Sequence, residues 1–146
     1  MASTSRMRGA TLVEVLAALL ILAVGLLGIA ALYVDNLRNG RTAMLRTQAA
    51  TLAADMADRI RVHRAGGNAF TRITGQRCTE PSPDASAEES AARELACWQD
   101  EVGRQLPNGT GTVARDSSTL PPTYTVTVSW AETGAGTASY VVRVQI

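Results

Sequence analysis

The 146-residue chain contains no lysine: all fourteen basic residues are arginine, set against thirteen acids for a formal net charge of +1. So even a balance supplies no basic footprint for nucleic acid. Histidine occurs once, at His63, and a single imidazole cannot assemble a metal site by itself. Its simplest role is that of a solvated or interfacial histidine at a helix end. Serines occur, but no G-x-S-x-G elbow accompanies them. Glu88-Glu89 and Asp100-Glu101 read more simply as solvated helix faces than as a carboxylate dyad. Cysteine is scarce too, and Cys78 and Cys97 lie far from the Cys-x-x-Cys spacing of a redox pair. These absences point away from an enzyme, from a cofactor and from a small-molecule substrate. Proline is missing before Pro81, so nothing forces a helix to break in the first eighty residues.

What is present begins with an apolar run. Residues 15–34, VLAALLILAVGLLGIAALYV, are twenty in number and carry no charge. At about 1.5 Å per residue they span a hydrocarbon core of roughly 30 Å. A short polar leader with Arg6 and Arg8 precedes them. A cleaved secretory signal has a shorter apolar stretch and a small-x-small site beyond it. A plain single-pass anchor fits the length but leaves Glu14 unexplained, since a carboxylate within a membrane helix costs about 2.5–3.5 kcal/mol on insertion scales. Gly25, Gly28 and Gly40 are ordinary for such a helix.

Beyond residue 34 the pattern turns amphipathic. Leu45, Ala49, Leu52, Met56 and Ile60 recur at spacings of three and four, one stripe of a helix. Asp55 precedes Arg59 by four, a favourable pair. Gly66-Gly67-Asn68 supplies a stop. From Ala10 to about Arg64 the spacing predicts a helix of roughly 80 Å. Its amphipathic half needs a cover, which the remaining residues can provide.

In that remainder, residues 70–83 read as an irregular connection holding Cys78. Ser86 opens a second helix, with Glu89 completing a capping-box pattern. The apolar face is Ala91 or Ala92, Leu95, Trp98, Val102 and Leu106, with Glu89–Arg93 and Asp100–Arg104 as expected i,i+4 pairs. Leu106-Pro107-Asn108-Gly109 ends it. A weak strand is expected at residues 111–115. Residues 124–130, YTVTVSW, alternate cleanly, and residues 139–146 repeat the pattern with Tyr140, Val142, Val144 and Ile146 on one face. Gly- and Thr-rich residues 131–138 join these two as a hairpin. If Cys78 and Cys97 are bonded, the ring of about twenty residues contributes roughly 3 kcal/mol; two separate buried thiols are the alternative. The expected fold class is α+β: a long N-terminal helix packed against a small head with a short helix and an antiparallel sheet.

The string Arg8-Gly9-Ala10-Thr11-Leu12-Val13-Glu14 resembles the prepilin signature shared by type IV pilins and type II secretion pseudopilins. That signature is a short basic leader ending in glycine, an apolar first mature residue and a glutamate at mature position five. The resemblance implies cleavage by prepilin peptidase between Gly9 and Ala10, N-methylation of Ala10, and a subunit-pairing role for the Glu14 carboxylate. The family usually begins its mature chain with Phe, where this sequence has Ala10. It also implies a leader at 1–9, a transmembrane half-helix at 10–34, an amphipathic half at 35–65 and a head at 66–146. The leader then lies on the inner side of the bacterial inner membrane and the head in the periplasm, where disulfides persist.

Further along, Asp58-Arg59-Ile60-Arg61, Leu106-Pro107-Asn108-Gly109-Thr110-Gly111 and the 124–130 strand resemble minor pilins of the PilV type (type IV pilus modification protein). The Asn-Pro pair common after the helix in that family is replaced by Arg64-Ala65-Gly66-Gly67-Asn68. The resemblance implies a subunit that primes assembly of the type IV pilus and sits at or near its tip, supporting twitching motility and adhesion. Its implied partners are other minor pilins, the major pilin, prepilin peptidase and the inner-membrane assembly platform. A minor pseudopilin of type II secretion is the alternative. From Gly66 onward there are six arginines against nine acids, so direct nucleic-acid binding by the head is not expected.

Overall fold

The computed structural model describes residues 11–71, 78–80, 82–132, 134 and 136–146. Among them the order of elements is helix α1 (Leu12–Val62), a 3₁₀ segment (Arg64–Thr71), helix α2 (Ala87–Gln105), then strands β1 (Thr110–Asp116), β2 (Thr123–Glu132) and β3 (Gly136–Gln145). The chain divides into two compact units between Arg41 and Thr42. The fold class is α+β, as the sequence indicates.

In the first unit the helix is apolar on every side from Leu12 to Val34 apart from Glu14, and each residue from 11 to 41 is exposed. Leu16, Leu20, Ile21, Leu27 and Leu32 are all more than half exposed. A helix apolar all round requires an apolar surround, and this one is long and apolar enough to cross a membrane.

The second unit starts in the amphipathic stretch. Ala49, Leu52, Met56 and Ile60 are buried, and Leu45 is partly so. Ala53 and Ala57 are buried beside them, widening the stripe beyond the five expected positions. The α-helix closes at Val62, slightly earlier than the glycines suggest, and the chain continues as a 3₁₀ turn through Thr71. Gly67 adopts φ 50° within it, a left-handed conformation that glycine accepts without a Cβ penalty. This turn brings Phe70 fully into the core, where its ring meets Tyr124 edge-on at 6.5 Å. The expectation of an irregular connection from residue 70 is corrected on that point. Residues 72–77 and 81 of that connection lie outside the described residues.

Helix α2 buries Ala91, Ala92, Leu95, Trp98 and Val102, with Leu106 at its C-cap. The three strands form an antiparallel sheet in the order β1-β2-β3. β2 alternates without a break and turns Tyr124, Val126, Val128 and Trp130 inward. β2 and β3 run on to Glu132 and Gly136, so the expected eight-residue hairpin loop is shorter than the sequence suggested. On β3 the inward row is Val144, buried, with Ala138, Val142 and Ile146 partly buried, while Tyr140 remains 40% exposed.

Candidate functional site

The first candidate site is the start of α1. Thr11 precedes the helix, and its hydroxyl accepts from the Glu14 backbone N–H at 3.3 Å. Its carbonyl accepts from Val15 N–H at 3.2 Å. This is N-cap geometry, which satisfies a donor that the first helical turn leaves orphaned. Glu14 stands in that first turn, where a negative charge is favoured by the helix dipole. Gly9 and Ala10 lie outside the described residues. The structure therefore places Glu14 at the head of an exposed apolar helix, one turn beyond the expected cleavage point.

The second candidate is the surface of the head. Cys78 and Cys97 are joined in a disulfide, which excludes the alternative of two separate thiols. The bond ties the connection before α2 to the middle of that helix. Arg59 bridges two elements, donating to Asp55 at 2.9 Å and to Glu94 at 2.7 Å. Arg93 also pairs with Glu94, and the expected Glu89–Arg93 pairing is replaced. Glu89 instead turns back to its own helix start, where its carboxylate accepts from Ser86 N–H at 2.8 Å. The capping box is complete, with Ser86 Oγ accepting from Glu89 N–H at 3.2 Å. Asp100–Arg104 forms as expected at 3.0 Å.

Sequence reasoning missed Glu132. It ends β2 on the inward row and is buried, and Arg46 reaches its two carboxylate oxygens at 3.4 and 3.5 Å. Only the strict alternation of β2, continued two residues past Trp130, carried that signal.

Three head carboxylates have pKa values below the ordinary range. Glu89 is lowered by the backbone N–H of Ser86 and then by its hydroxyl. Glu101 is lowered chiefly by the Gln105 amide and then by Arg104. Asp116 is lowered by the hydroxyl and N–H of Ser118. All three are held charged by local hydrogen bonds, which favour the ionised form rather than the protonated form that a general acid needs. An open depression of about 450 Å³ near the start of α2 is lined by Thr79, Ser82, Asp84, Glu89 and Arg93, among others. Among the described residues no group of three or more His, Cys, Asp or Glu side chains is placed to hold a metal ion.

Residues 4–30 match the family model described as the prokaryotic N-terminal methylation motif. The matched stretch contains Gly9, Ala10, Thr11 and Glu14. No curated protein and no solved structure matches the chain. The motif, carried on an exposed apolar helix, supports a chain of the type IV pilin or pseudopilin kind, and it fits membrane anchoring.

Proposed function

We propose that the chain is a minor pilin, a non-enzymatic structural subunit that helps prime a type IV pilus and lies at or near its tip. The observation that carries this reading is the methylation motif over residues 4–30, set at the head of an apolar helix whose residues are exposed from 11 to 41. Prepilin peptidase removes residues 1–9 and methylates Ala10. Before assembly the apolar half-helix holds the subunit in the inner membrane with its head in the periplasm. There the disulfide between Cys78 and Cys97 persists.

Cleavage leaves a cationic amine at Ala10 beside an apolar helix. Glu14, four residues along the sequence, can neutralise such an amine in its own chain or a neighbour's. In a low-dielectric surround that attraction far exceeds its value in water. Leaving the bilayer for the filament thus exchanges a costly unpaired charge for a paired one. The similarity to PilV-type minor pilins in residues 58–61, 106–111 and 124–130 favours the pilus over a type II pseudopilus.

The test is intact-mass spectrometry of the protein from cells with and without prepilin peptidase. Loss of residues 1–9 only where the peptidase is present supports the reading. An uncut chain in both strains removes it. Loss of piliation on deleting the gene, with secretion intact, separates the pilus from the pseudopilus.

A further inference from the structure

Two buried polar groups occupy neighbouring places on the inward row of β2, and neither is fully satisfied. Trp130 is 2% exposed, and its indole N–H has no hydrogen-bond partner among the described residues. The other indole of the head, on Trp98, is comparably buried yet donates to Leu52 O at 2.8 Å. Two residues beyond Trp130, the buried Glu132 carboxylate accepts from Arg46 alone among the described residues, at 3.4 and 3.5 Å. An ionised carboxylate offers about four acceptor positions, and charge-assisted bonds usually close to about 2.7–2.9 Å. Buried polar groups are nearly always paired, so a donor and an acceptor left short together call for an explanation.

An open groove of about 390 Å³ lies at this end of the sheet, lined by Arg46, Trp130, Ala138, Ser139 and Tyr140. Ligand sites run from about 300 to 1,000 Å³, so the groove suits a small occupant. Tyr140 stands diagonal to Trp130 across the ladder, in which Trp130 faces Ala138 and Val128 faces Tyr140. Diagonal aromatic neighbours of this kind are within reach of one another. Tyr140 is 40% exposed, so its ring is available to an incoming group. The Arg46 side chain is 64% exposed, and only its Nη2 is engaged among the described residues.

These groups define the chemistry that fits. The Arg46 charge is matched by Glu132, so the groove holds no net charge with which to attract an ion. The aromatic pair supplies an apolar wall. The spare N–H groups of Arg46 and the indole N–H of Trp130 call for oxygen acceptors. A pyranose ring meets all three conditions: it is uncharged, its C–H face is apolar, and its rim carries hydroxyls that both accept and donate.

We infer that the groove beside Trp130 binds a neutral pyranose sugar. The C–H face of the ring lies on Tyr140, one ring hydroxyl accepts from the Trp130 indole, and a neighbouring one accepts from Arg46. The indole N–H is already shielded from water, so a sugar oxygen that reaches it gains a hydrogen bond without desolvating the donor. Trp130 is held by its packing in the core, so little ordering is needed when the sugar enters. The groove is open on one side, and the sugar therefore keeps part of its rim in water, as the end residue of a longer glycan does. The inference rests on the head alone and stands whether or not the chain is a pilin.

Nuclear magnetic resonance of the two indole N–H groups tests it on the full-length protein, in micelles of a detergent without a sugar headgroup. The probes are the methyl glycosides of glucose, galactose, mannose and N-acetylglucosamine, each titrated to about 50 mM, above the Kd of about 1–10 mM expected for a single ring. At least one glycoside is expected to shift the Trp130 indole signal saturably, while that of Trp98, already bonded to Leu52, stays constant. Tyr140→Ala removes the exposed ring and is expected to weaken binding about tenfold or more. Tyr140→Leu, which keeps apolar bulk but no aromatic face or hydroxyl, serves the same purpose if the alanine variant fails to fold. A Trp130 signal that stays fixed with every glycoside overturns the inference. So does a shift shared equally by Trp98, since the sugar then acts on the whole head, and so does affinity left unchanged by both Tyr140 variants.

Discussion

The indole N–H of Trp98 donates to the main-chain oxygen of Leu52 at 2.8 Å, joining α2 to α1 across 46 residues of sequence. The ring is fully buried, so its polar edge has found a partner where water is excluded. Replacing Trp98 by Phe keeps an aromatic ring but removes the donor and part of the volume. The expected loss is about 1–3 kcal/mol. Urea denaturation followed by circular dichroism reads it directly, and an unchanged midpoint would show that the bond contributes nothing net.

Gly111 faces the same ring. A Cβ built there would lie 2.4 Å from Cζ3 of Trp98, inside any real contact distance. Gly111→Ala therefore forces the buried indole or strand β1 to shift, at about 1–3 kcal/mol. Altered near-ultraviolet circular dichroism of the tryptophans, with a lowered melting temperature, is the expected result. A variant as stable as the parent would mean that β1 can move aside freely.

The disulfide closes a loop with a sequence separation of 19. In the chain-entropy model such a closure contributes roughly 3 kcal/mol by restricting the unfolded chain. Cys78→Ser with Cys97→Ser should lower the head's denaturation free energy by that order, and reductant should have no further effect on the double variant. A loss below about 1 kcal/mol would place the stabilisation elsewhere, in residual structure of the unfolded chain.

Ser86→Ala removes the N-cap of α2, with an expected cost of about 1 kcal/mol. It also removes the hydroxyl that helps keep Glu89 charged. Glu89 titrates lower folded than unfolded, because Ser86 N–H and then Oγ engage it. Its contribution is thus present above the ordinary glutamate range and is lost as pH falls through the lower folded value. Glu89→Gln should flatten the acid limb of a stability–pH profile by lowering stability at neutral pH, while changing little at low pH where the parent carboxyl is already protonated. A limb as steep in Glu89→Gln as in the parent would assign the acid response to other carboxylates.

Much of this head was legible because its signals are local. The stripe from Leu45 to Ile60, the Ser86–Glu89 box and the alternation from Tyr124 to Trp130 all depend on neighbours within one turn or two strand residues, and all three appear in the structure. What escaped depends on distant parts of the chain. Phe70 enters the core only because a 3₁₀ turn, rather than a free loop, follows α1. Glu132 is buried because Arg46, 86 residues away in sequence, lies opposite it. Glu89–Arg93 has ideal helical spacing, but Glu89 stands at N3 of the helix, where the cap competes for its carboxylate. At the start of α1 the legible part was a motif, whose chemistry involves Gly9 and Ala10 outside the described residues.

Two rows of α1 lie side by side in the core. Leu52, Met56 and Ile60 form a ridge, and Ala49, Ala53 and Ala57 form a trough beside it, each row stepping by four residues. A ridge flanked by a trough fits its seat in one azimuth only. Rotating the helix by a single residue position, about 100°, would drive the ridge out of place and leave the alanines facing a void. The Trp98 bond to Leu52 and the Arg59 link to Glu94 resist sliding along the axis, since a one-turn shift of about 5.4 Å breaks both. With rotation and translation both fixed, the outward stripe is fixed as well: between residues 47 and 60 the exposed residues are Thr47, Thr51, Ala54 and Asp58. Any neighbour that approaches the head along this helix meets that small, polar stripe, and one substitution in the buried trough would turn a different set of side chains toward it.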